Sequence, residues 1–498
     1  MRLVRLALGP LALAAAIFGV RASGQIPADD AAVQLQIGTT LMEEMRYREA
    51  LDAFDRAIRS DDATLIVRAR KEKIRAALRI AEFDLARAEG EALTSSGAAD
   101  AEARALYGDA LWARGLFDEA DGEYRQAQQM APGSSRARFG RARSLATRSQ
   151  LGEALNQALA AAGESPRDPE IHALVGHVYE RLGRYDDAAD AYARYVGLLP
   201  TGLDSSAAVF NAKVQLLRSF KGREPLLIEG KDTTFRVPFK LVNNKILLQG
   251  RLNNVNVEFV LDTGSERTGF TFETARRAAV VPVTSTLTAG VGVSSVRALA
   301  LGRAERIEVG RLRIRNVPVS IRNPAFRIMP RWQSESFSPL SLGLSVVVDY
   351  QRREVVLGRG IPDSAADIRL PMRMNRLPLV RGLLNSTHPA YFVVDTGGEL
   401  ISISADTADG LGMPPPTRRI ALKVYGMSGW DEQAYLLPGV DVNFDAIEYR
   451  KLGLAVLNLR APSVLLGFQL GGIVGHKFLG GYRVSMDVER SELRLEKF

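Results

Sequence analysis

The tripeptide Asp-Thr-Gly occurs twice, as Asp262-Thr263-Gly264 and Asp395-Thr396-Gly397, 133 residues apart. Each copy ends an apolar run: Val257-Glu258-Phe259-Val260-Leu261 in the first, Ala390-Tyr391-Phe392-Val393-Val394 in the second. Both read as a buried strand that delivers a carboxylate at its end and then turns at glycine, where the missing Cβ permits close approach. Two carboxylates brought together cannot both ionise cheaply. They share a proton and so present an acid and a base, the minimum equipment for hydrolysing a peptide bond. One such aspartate alone would read as a turn residue. The matched flanks of the pair favour chemistry.

The elements around the two motifs follow one order, which predicts a duplicated lobe. In the first, strands over Lys245–Leu252 and Val255–Leu261 meet at the hairpin turn Asn253-Asn254, and a short helix follows over Phe272–Ala279. In the second, strands over Leu379–Leu384 and Tyr391–Val394 flank Asn385-Ser386-Thr387, and the helix covers Asp406–Leu411. The endings correspond too: Val346–Tyr350 with Arg353–Leu357, against Arg483–Asp487 with Glu492–Leu495. Asp349 and Asp487 form a second pair, each opening a turn into the next strand, and read as structural.

With Ile473-Val474-Gly475 near the end of the second lobe, this half of the chain resembles the pepsin/retropepsin group of aspartic proteases in a two-lobe bacterial form. The resemblance implies an all-β domain with lobe one over 225–360 and lobe two over 361–498. It implies that Asp262 and Asp395 lie side by side between the lobes, that Thr263 and Thr396 reach across to the other lobe's backbone, and that Gly264 and Gly397 permit the close turn. Gly475 would pack beside the catalytic loop. It implies a peptide or protein substrate, and no cofactor or metal. The residue after each motif differs: Ser265 can donate a hydrogen bond to the neighbouring carboxylate and favour its ionised form, and Gly398 cannot. This predicts the charge on Asp262 and the proton on Asp395. Candidate flaps are Thr288–Val293, with Gly290 and Gly292, and Tyr425-Gly426-Met427-Ser428-Gly429; ordinary glycine hairpin turns are the alternative. Gly475 lies twelve residues before Asp487, whereas twelve before Asp349 is Phe337, and Leu342-Gly343 sits only six before it. Lobe one therefore carries the signature with altered spacing or has lost it.

The N-terminal half has a different texture. Ala120, Ala154 and Ala188 are spaced by 34, as are Pro132, Pro166 and Pro200. The unit at 101–134 carries Tyr107-Gly108, Leu111, Ala120, Tyr124 and Ala127; that at 169–202 carries Val175-Gly176, Tyr179, Ala188, Tyr192 and Tyr195. The pattern resembles the tetratricopeptide repeat, and with copies from about 31 and about 65 it predicts five repeats over 31–202. A capping helix and linker follow over 203–224. Such an array implies a protein partner.

Met1–Gly24 reads as an export signal: Arg2 and Arg5, the apolar Leu6–Val20, then Ala22-Ser23-Gly24 before Gln25. The apolar run is short for a membrane anchor and Gly9-Pro10 interrupts it. A periplasmic or secreted protein without a stable membrane span is expected. The absence of cysteine excludes thiol catalysis, thiolate metal sites and disulfides. The net charge of +8 is dispersed, with no basic stretch interleaved with aromatics, which argues against nucleic-acid binding. Neither GxSxG nor HExxH occurs, and His172 and His177 stand five apart, a poor match to a metal pair on one helix face. The leading reading is an exported aspartic endopeptidase. The alternatives are an inactive peptide-binding scaffold on the same domains and, more distantly, a glycosidase built on a carboxylate pair.

Overall fold

The computed structural model describes residues 30–95, 99–200, 205–292, 296–322, 334–364, 366–413, 420–426 and 429–498. The export signal lies outside these residues, as do Val293, Met427 and Ser428 of the candidate flaps.

The first half is helical. Among the described residues, helix pairs run Ala31–Glu43 with Tyr47–Ala57, Ala63–Arg79 with Phe83–Ser95, Ala101–Ala113 with Phe117–Met130, Ser135–Thr147 with Leu151–Glu164, and Pro169–Arg181 with Tyr185–Leu198. The array therefore holds five helix pairs among the described residues. The first helix of each pair starts at a side-chain cap: Asp30, Asp62, Asp100, Ser134 and Asp168 all accept from backbone N–H groups of the first turn. Ala120, Ala154 and Ala188 are fully buried where helices approach, and Tyr124 and Tyr192 fill the space between neighbouring pairs. Ser205–Arg218 closes the array, packing Leu216 and Leu217 against Tyr185 and Ala188 of the last pair.

The second half is built of β-strands in two related lobes. Strand Thr234–Val242 serves two sheets: Thr234–Pro238 pair with Glu354–Gly358, and Phe239–Val242 with the start of the next strand, Lys245–Leu252. Ile368–Asn375 does the same in lobe two, pairing first with Glu492–Lys497 and then with Leu377–Leu384. The lobes join in one antiparallel sheet where Ser345–Asp349 meets Tyr482–Asp487, with Val347 opposite Ser485. Alternating burial along Thr234–Val242 is what a strand with one covered face requires. Asp349 and Asp487 are the turn residues expected of them: each accepts from the N–H three residues on, Arg352 at 2.8 Å and Arg490 at 3.0 Å.

Array and lobes are packed together. Trp112 and Phe117, at the turn inside the third repeat, join one apolar cluster with Leu379, Tyr391, Phe468 and Leu470 of lobe two. The Phe117 ring stands edge-on to Tyr391 at 4.8 Å and to Phe468 at 5.1 Å. The Gln469 N–H donates to the Ala113 carbonyl at 2.7 Å, and the Tyr391 hydroxyl to Asp118 at 2.7 Å. The last repeat and its cap contact lobe one through Leu299 and Leu301.

Candidate active site

Asp262 follows strand Val255–Leu261 and Asp395 follows His388–Val394. Each aspartate is held from beneath by a parallel segment. The Asp262 N–H donates to the Phe337 carbonyl at 3.0 Å, and the Asp395 N–H to the Val474 carbonyl at 3.0 Å. The threonines then lock the loops to each other. Thr263 N–H donates to Thr396 Oγ1 at 3.1 Å and Thr396 N–H to Thr263 Oγ1 at 3.0 Å. The two hydroxyls donate across the lobes, Thr263 to the Val394 carbonyl at 2.7 Å and Thr396 to the Leu261 carbonyl at 2.8 Å. Both amides and both hydroxyls of the two buried threonines are satisfied, so the knot fixes register between the lobes.

The carboxylates consequently stand side by side. A Cβ added at Gly397 would lie 3.1 Å from both Asp262 Cγ and Asp395 Oδ1, and one at Gly264 would lie 2.5 Å from Asp395 Cγ. A side chain at Gly264 would displace Asp395, and one at Gly397 would crowd both carboxylates. Their hydrogen bonds differ. Ser265 Oγ donates to Asp262 Oδ2 at 2.8 Å, whereas Asp395 Oδ1 accepts from the Gly397 N–H at 2.7 Å and Gly398 contributes no side chain. Burial, then the charge of Asp262, push the Asp395 carboxyl up to about 7, against the pull of Lys245 and the Gly397 and Gly398 amides.

Lobe one's supporting segment is neither lost nor at Leu342-Gly343. Val260 pairs with Ser336 and Leu261 with Phe337, as Val393 pairs with Ile473 and Val394 with Val474. Ser338 therefore stands where lobe two has Gly475. Gly475 packs against the Gly398 backbone, where a Cβ would meet the carbonyl carbon at 2.5 Å. In lobe one the buried Ser338 hydroxyl instead donates to the Ser265 carbonyl at 2.6 Å, and its N–H to Thr268 Oγ1 at 3.1 Å. The spacing to Asp349 is one residue shorter than its counterpart, which hides the match in the sequence.

The cleft above the dyad encloses about 530 Å³ and is lined by residues from both lobes. Ala289, Gly290 and Val291 line it from lobe one, Tyr425 and Gly426 from lobe two. These two tips touch, since a Cβ at Gly426 would come within 2.8 Å of Val291 Cβ. Gly292 follows with φ of 142°, a conformation that favours glycine. The Tyr425 ring stacks on Trp430 at 4.8 Å within its hairpin.

Several residues at the site escaped sequence reasoning. Lys245 donates to the Gly397 carbonyl and pairs with Glu399 at 3.6 Å. Reciprocally, Arg376 of lobe two grips Glu266 of lobe one through two hydrogen bonds of 2.8 Å. Glu266 and Glu399 each stand four residues after their aspartate, a regularity legible in the chain. Arg322 lines the cleft within hydrogen-bonding range of Ser336, at 3.4 Å; burial lowers its pKa while Asp262 and Glu335 raise it. His172 and His177 belong to a helix of the repeat array: His172 bonds the Pro166 carbonyl, and burial pushes His177 down to about 3.

Both halves of the chain are similar to known families. A family model described as aspartyl protease matches residues 248–346, and a tetratricopeptide repeat model matches 71–135, 108–169 and 139–202. No curated protein matches the chain. Similar solved structures include a thermophilic tetratricopeptide repeat protein of Thermus thermophilus, 20% identical over 37% of this chain and 99% of that one, with a TM-score of 0.32. Another is PilF of Pseudomonas aeruginosa, 14% identical over 39% of this chain and 86% of that one, with a TM-score of 0.29. The chain thus carries an array of tetratricopeptide repeats followed by an aspartyl protease domain.

Proposed function

We propose that the protein is an exported aspartic endopeptidase whose dyad is Asp262 and Asp395. The observation that carries the reading is the reciprocal threonine knot, which holds two partly buried carboxyls side by side on the wall of one cleft. The hydroxyl of Ser265 favours the ionised form of Asp262, and burial beside that charge favours the proton on Asp395. In the reaction, Asp262 takes a proton from water as the water oxygen attacks the scissile carbonyl. Asp395 gives its proton to the carbonyl oxygen, and a neutral tetrahedral diol results. Collapse breaks the C–N bond: the proton held by Asp262 passes to the leaving nitrogen, and Asp395 recovers one from the diol. The touching tips at Val291 and Gly426 serve as flaps that must part to admit a peptide. Export rests on the Met1–Gly24 signal, and a partner-binding role for the array on its repeats.

The test is incubation of the mature protein with a mixed peptide library across pH 3 to 8, beside Asp395→Asn. Cleavage is expected in the wild type, falling as pH rises through about 7 and Asp395 loses its proton, and absent from the variant. Cleavage that persists in the variant removes Asp395 from the mechanism. No cleavage by either protein, with peptides still bound, makes the domain a peptide clamp.

A further inference from the structure

The first hairpin of each lobe sends a cation across to the loop after the other lobe's aspartate, and the two cations land in different places. In lobe one Val242 pairs with Lys245 around the two-residue turn Asn243-Asn244, whose φ values are 48° and 61°. Lys245 is therefore the first residue of strand Lys245–Leu252. In lobe two Asn375 pairs with Leu377, so the turn is one residue shorter and its cation, Arg376, sits in the turn itself with φ of 64°. Register gives the same offset: Val260 pairs with Leu247 and Val393 with Leu379, which makes Leu377 the counterpart of Lys245. Arg376 grips Glu266 and the Leu465 carbonyl, and it lines a cavity between the array and the lobes. Lys245 lines the cleft with the dyad.

We infer that Lys245 is a positioning residue of the dyad: its ammonium fixes the turn after Asp395, and its charge bounds the working range on the alkaline side. This rests on the peptidase reading and assigns a control on that same site. The Lys245 side chain is 17% exposed, and its Nζ donates to the Gly397 carbonyl. That carbonyl and the Gly398 N–H are the two ends of one trans peptide unit, so a cation on the oxygen turns the N–H away from itself and toward Asp395. The Gly397 N–H donates to Asp395 Oδ1 at 2.7 Å. Burial and the charge of Asp262 raise the Asp395 pKa; Lys245 is the foremost group opposing them, ahead of the Gly397 and Gly398 amides. When Asp395 gives its proton to the substrate, the ammonium stabilises the carboxylate left behind, and the same field strips that proton earlier as pH rises. Glu399 pairs with Lys245 at 3.6 Å but is exposed, which screens it. Among the described residues the other titratable groups around the dyad are Arg322, drawn toward Asp262 and Glu335, and Lys423 and Tyr425 on the lobe-two flap segment. His476, whose backbone N–H donates to the Gly398 carbonyl at 2.9 Å, is held below its ordinary pKa by burial and then by Lys245, so it brings no charge at neutral pH.

The test follows the upper titration step of the dyad in the full chain by two readouts. One is the carbon-13 shift of the Asp395 carboxyl, recognised as the signal missing from Asp395→Asn; the other is the alkaline limb of the pH–rate profile on a peptide substrate. Lys245→Met should move both upward by about one pH unit, a tenfold weaker acid, as the loss of one close charge requires. Lys245→Gln keeps a donor for the Gly397 carbonyl without the charge and should move them as far, whereas Lys245→Arg should leave them near wild type. The rise should persist in a Glu399→Gln background, where the loss of the lysine strands no carboxylate. Lys245→Met should also fall about tenfold in kcat below Lys245→Gln, because the turn loses its donor. An unmoved titration in Lys245→Met and Lys245→Gln, an equal movement in Lys245→Arg, a rise that vanishes with Glu399→Gln, or equal kcat in the Met and Gln variants overturns the inference. A carboxyl titration that moves as expected in a protein that hydrolyses no peptide keeps Lys245 at the dyad and sinks the peptidase reading. Hydrolysis with an unmoved limb does the reverse.

Discussion

At the dyad, one hydroxyl breaks the equivalence of two aspartates that share their tripeptide. Ser265 donates its hydroxyl to Asp262, and Gly398 has no side chain to do the same for Asp395. Ser265→Ala should raise the pKa of the acidic limb of the pH–rate profile, because the ionised base loses a donor. An unmoved limb counts against the assignment. Asp395 carries a stability consequence as well. Its folded pKa, about 7, exceeds the ordinary value, so the native state holds a proton that the unfolded chain releases. The resulting stabilisation is complete at low pH and is lost as pH rises toward and through 7. Asp395→Asn, which cannot ionise, should therefore raise Tm relative to wild type at pH 8 and leave it nearly equal at pH 4. Equal shifts at both pH values would contradict the proposed burial of charge.

Among the elements, the supporting segments show how two lobes keep one geometry with different residues. Lobe two uses Gly475 to bring backbone against backbone, and lobe one uses Ser338 to bridge the same gap with a hydroxyl. Replacing Ser338 with Gly would restore the lobe-two residue and still weaken the protein, since the Ser265 carbonyl loses its buried donor. The expected cost is about 1–3 kcal/mol in denaturant unfolding. A neutral or stabilising Ser338→Gly would mean that the loop relaxes to the lobe-two arrangement. Strand pattern and turn residues made most of this half legible: the asparagine turns at Asn253 and Asn385 have φ of 50° and 47°, the conformations asparagine tolerates. The Ser336-Phe337-Ser338 segment was not legible, because a search that expects glycine at constant spacing passes over it.

Across the whole molecule, the array is a structural partner of the protease domain before it is a platform for anything else. Its third repeat seals one side of lobe two, and the cluster beneath Phe117 and Trp112 includes Leu457, Leu459 and Leu470, which also line the cleft. Phe117→Ala should destabilise this junction by about 3–5 kcal/mol, with unfolding followed through Trp112, whose ring lies 4.6 Å away. It should also weaken peptide binding, because these leucines line the cleft. A loss of stability below about 1 kcal/mol would mean that the domains are only loosely apposed. The chain by itself determined the repeats, the duplicated lobe and the two aspartates, because periodicity, turn chemistry and a repeated tripeptide are local properties. Only the tertiary structure decided which loop supports Asp262, which cations enter the cleft and where the array docks. Ser338, Arg322 and Phe117 acquire those roles from strand register and packing between segments far apart in sequence, and no local pattern encodes such contacts.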